Sequence, residues 1–161
     1  MGGVIGKAMF RRLLDLVTAV DARNQSVALA SDPRLATAAL LVEAALMDER
    51  FESVERQQIE SLLERRFELE PGEAEALVEQ AAEQVKSSSQ LFGFTRTVNE
   101  HFDHDQRVGL VEMLWQVVYA DGSLDDYEAN LMRRIAGLIH VSDRESGAAR
   151  KRALAQLGIE G

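Results

Sequence analysis

The sequence contains no cysteine and only two prolines among its 161 residues. Without a thiol, the chain cannot form a disulfide, a thiolate-ligated metal site or a cysteine-dependent catalytic site. The scarcity of proline, with 11 glycines, argues against a β-sandwich or barrel, because such folds need a turn every few residues. No apolar run approaches the ~20 residues of a membrane-spanning helix. We therefore expect no transmembrane segment.

The chain is acidic, with 27 Asp and Glu residues against 18 Lys and Arg and a net charge of −9. Such a chain is repelled by nucleic acid, so we expect no nucleic-acid partner. The sequence lacks a phosphate-binding loop, a dinucleotide-binding glycine motif and the Glu-x-x-His pairs of di-iron bundles. We predict a cytoplasmic protein that is not an enzyme. A hydrolase or redox enzyme built on carboxylates is the least favoured alternative.

The first 30 residues differ from the rest in carrying a net positive charge. They hold four basic and two acidic residues, whereas residues 31–100 hold seven basic and fifteen acidic residues. We predict that residues 1–30 form an amphipathic helix and a loop, and that the helix packs on the rest of the protein. A weak contact with a membrane surface is the alternative. The polar side of this helix carries Lys7, Arg11 and Arg12, and its apolar stripe contains Met9 or Phe10, Leu13, Leu14, Leu16, Val17 and Val20.

Hydrophobic periodicity and capping signals predict an all-α protein, a single bundle of seven to eight helices. Asp32-Pro33 begins the first of these after residue 30, since Asp is a preferred N-cap and Pro suits the first helical position. The segments Leu35–Met47 and Val108–Tyr119 are apolar on most faces, which is typical of central helices. Further helices are predicted at Glu52–Arg66, Glu70–Ser87, Leu91–Val98, Asp126–Leu138 and Ser142–Leu157. Capping boxes are predicted at Asp103-x-x-Gln106, Asp125-x-x-Glu128 and Ser142-x-x-Glu145.

The two apolar helices are followed by similar sequences. Asp48 aligns with Asp121 and Glu55 with Glu128; further along, Glu70-x-x-Glu73 aligns with Ser142-x-x-Glu145 after a slippage of one residue. We predict one domain over residues 31–157, with two related three-helix units at about 33–87 and 104–157. Packed face to face about a pseudo-twofold axis, the two units would bury both central helices.

Each unit places an acidic turn between its apolar and amphipathic helices. Asp121, Ser123 and Asp125 have the spacing of the first ligands of a calcium loop, but Met132 occupies the twelfth position, where the loop needs Glu. An EF-hand is therefore excluded. A looser Ca²⁺ or Mg²⁺ site remains a hypothesis, because hard cations prefer carboxylate oxygens. Its candidate ligands are Asp48, Glu55, Asp121, Asp125 and Glu128. Helix capping alone is the competing explanation for Asp125 and Glu128.

The three histidines are weaker candidates for a site. His101 and His104, with Asp103 and Asp105, have the chemistry of zinc ligands, but the same residues begin a helix and no further ligand motif follows. His140 aligns with Phe67, so we predict that it packs at a helix end rather than acting as a base.

The second acidic turn resembles the TerB family. An apolar helix ends in Ala120-Asp121-Gly122, followed by Leu124 and Glu128, and a degraded copy lies at Met47–Phe51 with Glu55. This family comprises tellurite-resistance protein B and the related amino-terminal domain of DjlA-type co-chaperones. The resemblance implies an all-helical fold of two related halves in a bacterial, cytoplasmic protein. It also implies a role in tellurite or other stress responses that is exerted through partners.

These observations lead to one principal hypothesis and one alternative. The principal hypothesis is a non-catalytic interaction domain that docks a protein partner or a cation, within a membrane-proximal stress complex. The docking surface would contain Asp48, Glu49, Asp121 and Asp126. The alternative is a divalent-cation-binding protein with Ca²⁺ or Mg²⁺ at the acidic turns. A homodimer is a further hypothesis.

Overall fold

The computed structural model describes residues 32–46, 53–87, 91–120 and 124–159. Within these ranges the chain forms seven α-helices and no strand, which confirms the predicted all-α bundle. The helices are α1 (Pro33–Leu46), α2 (Ser53–Phe67), α3 (Pro71–Ser87), α4 (Leu91–His101), α5 (His104–Val118), α6 (Asp126–Leu138) and α7 (Asp143–Leu157). The predicted helix within residues 1–30 lies outside the described ranges.

Helix α1 is the apolar centre of the first unit. It begins where the sequence predicts, since the Asp32 carboxylate accepts the backbone N–H of Arg34 at 2.9 Å and Pro33 is the first helical residue. From Leu35 to Ala45, every residue except Glu43 is buried. A helix with no solvent face must be covered on several sides, and α2, α3, α4, α5 and α6 all pack against it.

The helices of the two predicted units pack in equivalent ways. In each unit the third helix lies along the first, α3 on α1 and α7 on α5. The middle helix of each unit also crosses to the first helix of the other, so that α2 contacts α5 and α6 contacts α1. One hydrophobic core therefore joins the two units, and α4 completes it against α1 and α6.

The ends of the two middle helices repeat the same local structure. Glu68 after α2 and His140 after α6 have positive φ angles of 53° and 60°. In each case the next residue closes the helix: Leu69 N–H donates to Glu64 O at 3.1 Å, and Val141 N–H donates to Ala136 O at 2.9 Å. Both ends are thus left-handed C-terminal caps.

The prediction that His140 packs at a helix end is wrong. His140 is exposed, and it is structurally equivalent to Glu68 rather than to Phe67. The one-residue slippage of the repeat falls before this helix end, so the buried Ile139 takes the place of Phe67 in the second unit.

The three predicted capping boxes are confirmed at the starts of α5, α6 and α7. In each, the N-cap side chain accepts a backbone N–H three residues on, and the side chain there accepts the N-cap N–H in return. The first unit keeps half of the last box, since Glu73 accepts the Glu70 N–H at 3.3 Å. The starts of these helices can therefore be read directly from the sequence.

We expect His140→Gly to stabilise the protein. Glycine adopts a positive φ without the steric cost of a Cβ atom, so relief of that strain should outweigh the greater entropy of the unfolded chain, by about 0.5–1 kcal/mol. Chemical denaturation of both proteins measures the difference. The matched control is Gly158→Ala at the end of α7, where φ is 73° and a Cβ would meet no neighbour. It should destabilise by about 1 kcal/mol. A destabilised His140→Gly variant would contradict the argument.

We expect Leu41→Ala and Leu114→Ala to lower the same unfolding transition. These residues hold equivalent positions on α1 and α5, and both are fully buried. Each truncation should cost about 2–5 kcal/mol. Because the core is continuous, denaturation followed by tryptophan fluorescence and by circular dichroism should give coincident curves in both variants. Two separate transitions, each shifted by one variant only, would mean that the units fold independently.

Candidate functional site

Described helices lie on either side of both acidic turns in the sequence. Helix α1 ends at Leu46 and α2 begins at Ser53, while α5 ends at Val118 and α6 begins at Asp126. The predicted site residues Asp48, Glu49 and Asp121 lie outside the described residues. Of the others, Glu55 lies in the first turn of α2, and Asp125, Asp126 and Glu128 lie at the start of α6.

Two of the predicted ligands cap α6. The Asp125 carboxylate accepts the Glu128 N–H at 2.7 Å, and the Glu128 carboxylate accepts the Asp125 N–H at 3.3 Å. Glu128 is buried, with 7% of its surface exposed. The competing explanation of these two residues, helix capping, is thereby confirmed. Asp126 and Tyr127, between them in sequence, are instead exposed, Tyr127 to 74%.

The start of α2 and the end of α5 lie side by side. The Gln58 amide donates to the main-chain oxygen of Gln116 at 3.1 Å. Gln58 follows Glu55 by about one helical turn, and Gln116 precedes Asp121 by five residues. The helix that follows the first acidic turn is therefore in contact with the helix that precedes the second.

The end of α5 is also fixed to α7. Arg150 donates through Nε to the Tyr119 hydroxyl at 2.8 Å, and its guanidinium lies 5.4 Å from the centre of the Tyr119 ring. The buried Trp115 donates to the Ser146 hydroxyl at 3.2 Å. The second acidic turn thus follows a helix whose C-terminal end is attached to α7 by hydrogen bonds and a cation–π contact.

Glu43 is the one acidic residue on α1. Burial raises the pKa of its carboxyl group, and the Arg134 guanidinium on α6 opposes that shift. Seventy-three residues later, the equivalent position on α5 is the buried Gln116. The equivalent positions Glu43 on α1 and Gln116 on α5 are therefore both polar. Glu43 lies near Arg134 of the crossing helix α6, and Gln116 lies near Gln58 of the crossing helix α2.

The described residues contain no group of three or more acidic or histidine side chains that could hold a metal ion. The two histidines of the zinc hypothesis have separate contacts. His101 Nδ1 lies 3.0 Å from the Thr97 main-chain oxygen, and His104 Nε2 lies 2.9 Å from the Glu145 carboxylate. The pairing of His104 with Glu145 joins the starts of α5 and α7, and the sequence pattern did not predict it.

A groove of about 500 Å³ lies between α4 and the end of α6. The polar side chains along it contact the protein itself: Asn99 donates to the Leu138 oxygen at 2.9 Å, and Arg96 lies 3.7 Å from Glu100. It therefore offers a small molecule few convergent polar groups of the kind that fix a ligand.

Comparison with known proteins identifies the family. The family model described as tellurite resistance protein TerB matches residues 34–151, well over half of the chain. The chain belongs to the TerB family. Neither the curated proteins nor the solved structures contain a significant match.

The TerB match includes most of both predicted units and confirms the family predicted from the acidic turn. It associates the chain with tellurite resistance, without assigning a role to any residue. In the part of the chain that the structure describes, no helix has the length and apolar character needed to cross a membrane.

We expect Glu43→Gln to stabilise the protein at pH 7. Because the folded-state pKa is raised, the protonated carboxyl favours folding, and that contribution is lost as the pH rises through the folded-state pKa. A glutamine retains the neutral form at every pH. The gain in unfolding free energy should therefore shrink as the pH falls towards the ordinary glutamate pKa of about 4.3.

Urea denaturation between pH 4 and pH 8 measures this difference. Glu100→Gln, at an exposed position on α4, is the control for the loss of one negative charge. If the two variants gain stability equally, the effect comes from net charge and not from burial of Glu43.

Proposed function

We propose that this TerB-family chain is a non-catalytic interaction protein of a bacterial stress response, whose acidic turns dock a protein partner with basic side chains. The observation that carries the proposal is the exposed Tyr127, which follows Asp126 directly at the start of α6. Among the described residues, it is the one large hydrophobic side chain that lies mostly in solvent. Tyrosine is enriched at binding hot spots, and its ring attracts Lys or Arg.

The packing supports a shared surface for the two turns. The contact between Gln58 and Gln116 brings the start of α2 to the end of α5. Asp48 and Glu49 precede that start, and Asp121 follows that end. We propose that these three carboxylates and Asp126 surround Tyr127, so that the partner meets negative charge around an aromatic anchor. Electrostatic complementarity of this kind speeds association and selects the partner.

The composition supports an indirect role in tellurite resistance. The sequence has no cysteine, so it has no thiol with which to reduce or chelate the oxyanion. A net charge of −9 also disfavours capture of an anion. We propose that the protein acts through its partner, in the cytoplasm, as part of a membrane-proximal complex.

Site-specific photo-crosslinking tests the proposed surface. A photoreactive phenylalanine analogue replaces Tyr127 in living bacteria, and the matched control replaces the exposed Ala148 on α7. We expect a defined protein adduct at position 127 that is missing at position 148. Reversal of the neighbouring charge by Asp126→Lys should reduce adduct formation at least several-fold, because the partner carries basic side chains.

Identical adducts at the two positions, or none at position 127, would contradict a partner at the acidic turns. An adduct of twice the chain's mass would instead identify the partner as a second copy. Neither photo-crosslinking position lies in the described core, so both proteins should fold; circular dichroism checks this.

A Ca²⁺ or Mg²⁺ site is the second candidate, and one observation favours it. The side-chain oxygen of Gln58 is buried and makes no hydrogen bond, and amide oxygens are acceptable ligands for Ca²⁺. Asp48, Glu55 and Asp121 would supply carboxylates. Asp125 and Glu128 would have to combine coordination with their capping hydrogen bonds, so we favour the protein partner.

Thermal melting with each cation separates the two candidates. A ligand that binds the folded state alone stabilises it by about 2.7 kcal/mol at one hundred times its Kd. A docking surface without a cation site predicts the same melting temperature with and without millimolar CaCl₂ or MgCl₂. A rise in the wild-type melting temperature that is lost in Asp121→Asn would establish the cation site in its place.

A further inference from the structure

A second groove, of about 260 Å³, lies where the described chain begins. It is formed by the start of α1 and the outer side of α3, and is lined by Asp32, Arg34, Leu69, Glu73, Ala76, Leu77 and Gln80. Leu69 and Leu77 are partly buried hydrophobic residues that pack against the core. The groove therefore combines apolar and polar side chains, as a groove that receives an amphipathic helix does.

The helix beside this groove is strongly acidic. Helix α3 carries four glutamates and one lysine. Glu75, Glu79 and Glu83 are all exposed and recur every four residues, so they form one stripe along the helix. Glu73, Ala76, Leu77 and Gln80 lie along the groove itself. An occupant of this groove would thus meet apolar side chains on one side and a row of carboxylates on the other.

The segment before Asp32 matches both features. Apolar side chains recur through residues 9–20 at helical spacing, and Lys7 and Arg11 are four residues apart, the spacing of the glutamate stripe. Residues 21–31 connect this segment to the edge of the groove. Eleven residues reach at most about 40 Å, and a 17-residue helix such as α3 is about 25 Å long. The segment can therefore reach all of α3.

The other basic element of the protein is α7, with four basic and two acidic residues. It could face α3 only in a second copy. Its cations are partly engaged, because Arg152 lies 2.9 Å from Glu112 and Arg150 contacts Tyr119. Two copies that each carry a net charge of −9 also repel one another. A tethered segment has instead the millimolar effective concentration of a short linker. The segment of the same chain is the better occupant.

We propose that residues 7–20 dock along α3 as an amphipathic helix. Leu13, Leu16, Val17 and Val20 cover the groove, and Lys7 and Arg11 lie along Glu75, Glu79 and Glu83. The docked segment neutralises part of the α3 charge and removes its own apolar stripe from water. This surface is separate from the acidic turns, so the proposal stands or falls independently of the partner proposed above.

Paramagnetic relaxation measured by NMR tests the contact in the full chain. Because the sequence has no cysteine, a single introduced cysteine carries the nitroxide label without background. The label is placed by Lys86→Cys in the last turn of α3, and by Lys151→Cys on α7 as the matched control; both lysines are exposed. We expect the amide signals of residues 7–20 to broaden strongly with the label at position 86 and to be little affected by the label at position 151.

Charge reversal tests the recognition itself. Lys7→Glu with Arg11→Glu, or Glu75→Lys with Glu79→Lys, should each remove most of the broadening, and all four changes together should restore it. The two glutamates are exposed, so the folded core should be unaffected, as the signals of α5 will show. Restoration by the combined variant separates pairing of these charges from a general effect of net charge.

Three results would overturn the proposal. If the amide signals of residues 7–20 are unaffected by the label at position 86, the segment does not contact α3. If the broadening of residues 7–20 persists when ¹⁵N-labelled protein without a nitroxide is mixed with unlabelled, nitroxide-bearing protein, the contact belongs to a second copy. Loss of the signals of residues 7–20 on addition of phosphatidylglycerol vesicles, without prior contact with α3, would make a membrane surface their partner.

Discussion

The contact between α1 and α5 is the constraint on which the rest of the fold depends. Both helices are buried on nearly every side, from Leu35 to Ala45 and from Leu110 to Val118. Neither could exist in water as a separate amphipathic unit, because each would expose an apolar face. The third helix of each unit covers one side, and the crossing middle helix of the other unit covers another. The two groups of three helices therefore share one core.

Each crossing of a middle helix over a central helix includes one polar contact. Glu43 interacts with Arg134 on α6, and Gln116 accepts a hydrogen bond from Gln58 on α2 through its main chain. A buried polar group destabilises the fold unless it has a partner, so these positions limit how α2 and α6 can cross. Both crossings lie towards the ends of α1 and α5 from which the acidic turns leave. The packing of the core and the placement of the proposed surface are thus linked.

Local features could be predicted from the sequence because their physical causes are local. A capping box such as Ser142-x-x-Glu145 needs only two side chains three residues apart, and the structure contains it as predicted. The apolar character of α1 likewise indicates a central helix whatever surrounds it. The family followed from the short motif around Asp121, and the match over residues 34–151 confirms it.

Features that depend on distant parts of the chain could not be predicted in the same way. The exposure of His140 depends on where the one-residue slippage between the units falls, and a sequence alignment places that slippage only approximately. Glu43 is surrounded by apolar residues in sequence, and nothing there indicates Arg134 as its neighbour, ninety-one residues away. Tyr127 has an apolar ring, and its exposure depends on how α6 packs. A tyrosine in the first turn of a helix fits a core or a surface equally well.

The distribution of charge connects the two proposed surfaces. Asp125 and Glu128 cap α6, and the exposed Asp126 between them is the described carboxylate that the proposed partner would meet. Four exposed glutamates on α3 would attract the same basic partner to the wrong side of the protein. If the basic segment of residues 7–20 covers α3, that competing attraction is reduced while Asp126 and Tyr127 stay exposed. Specificity is a difference between affinities, and an intramolecular contact that masks one acidic surface increases the preference for the other.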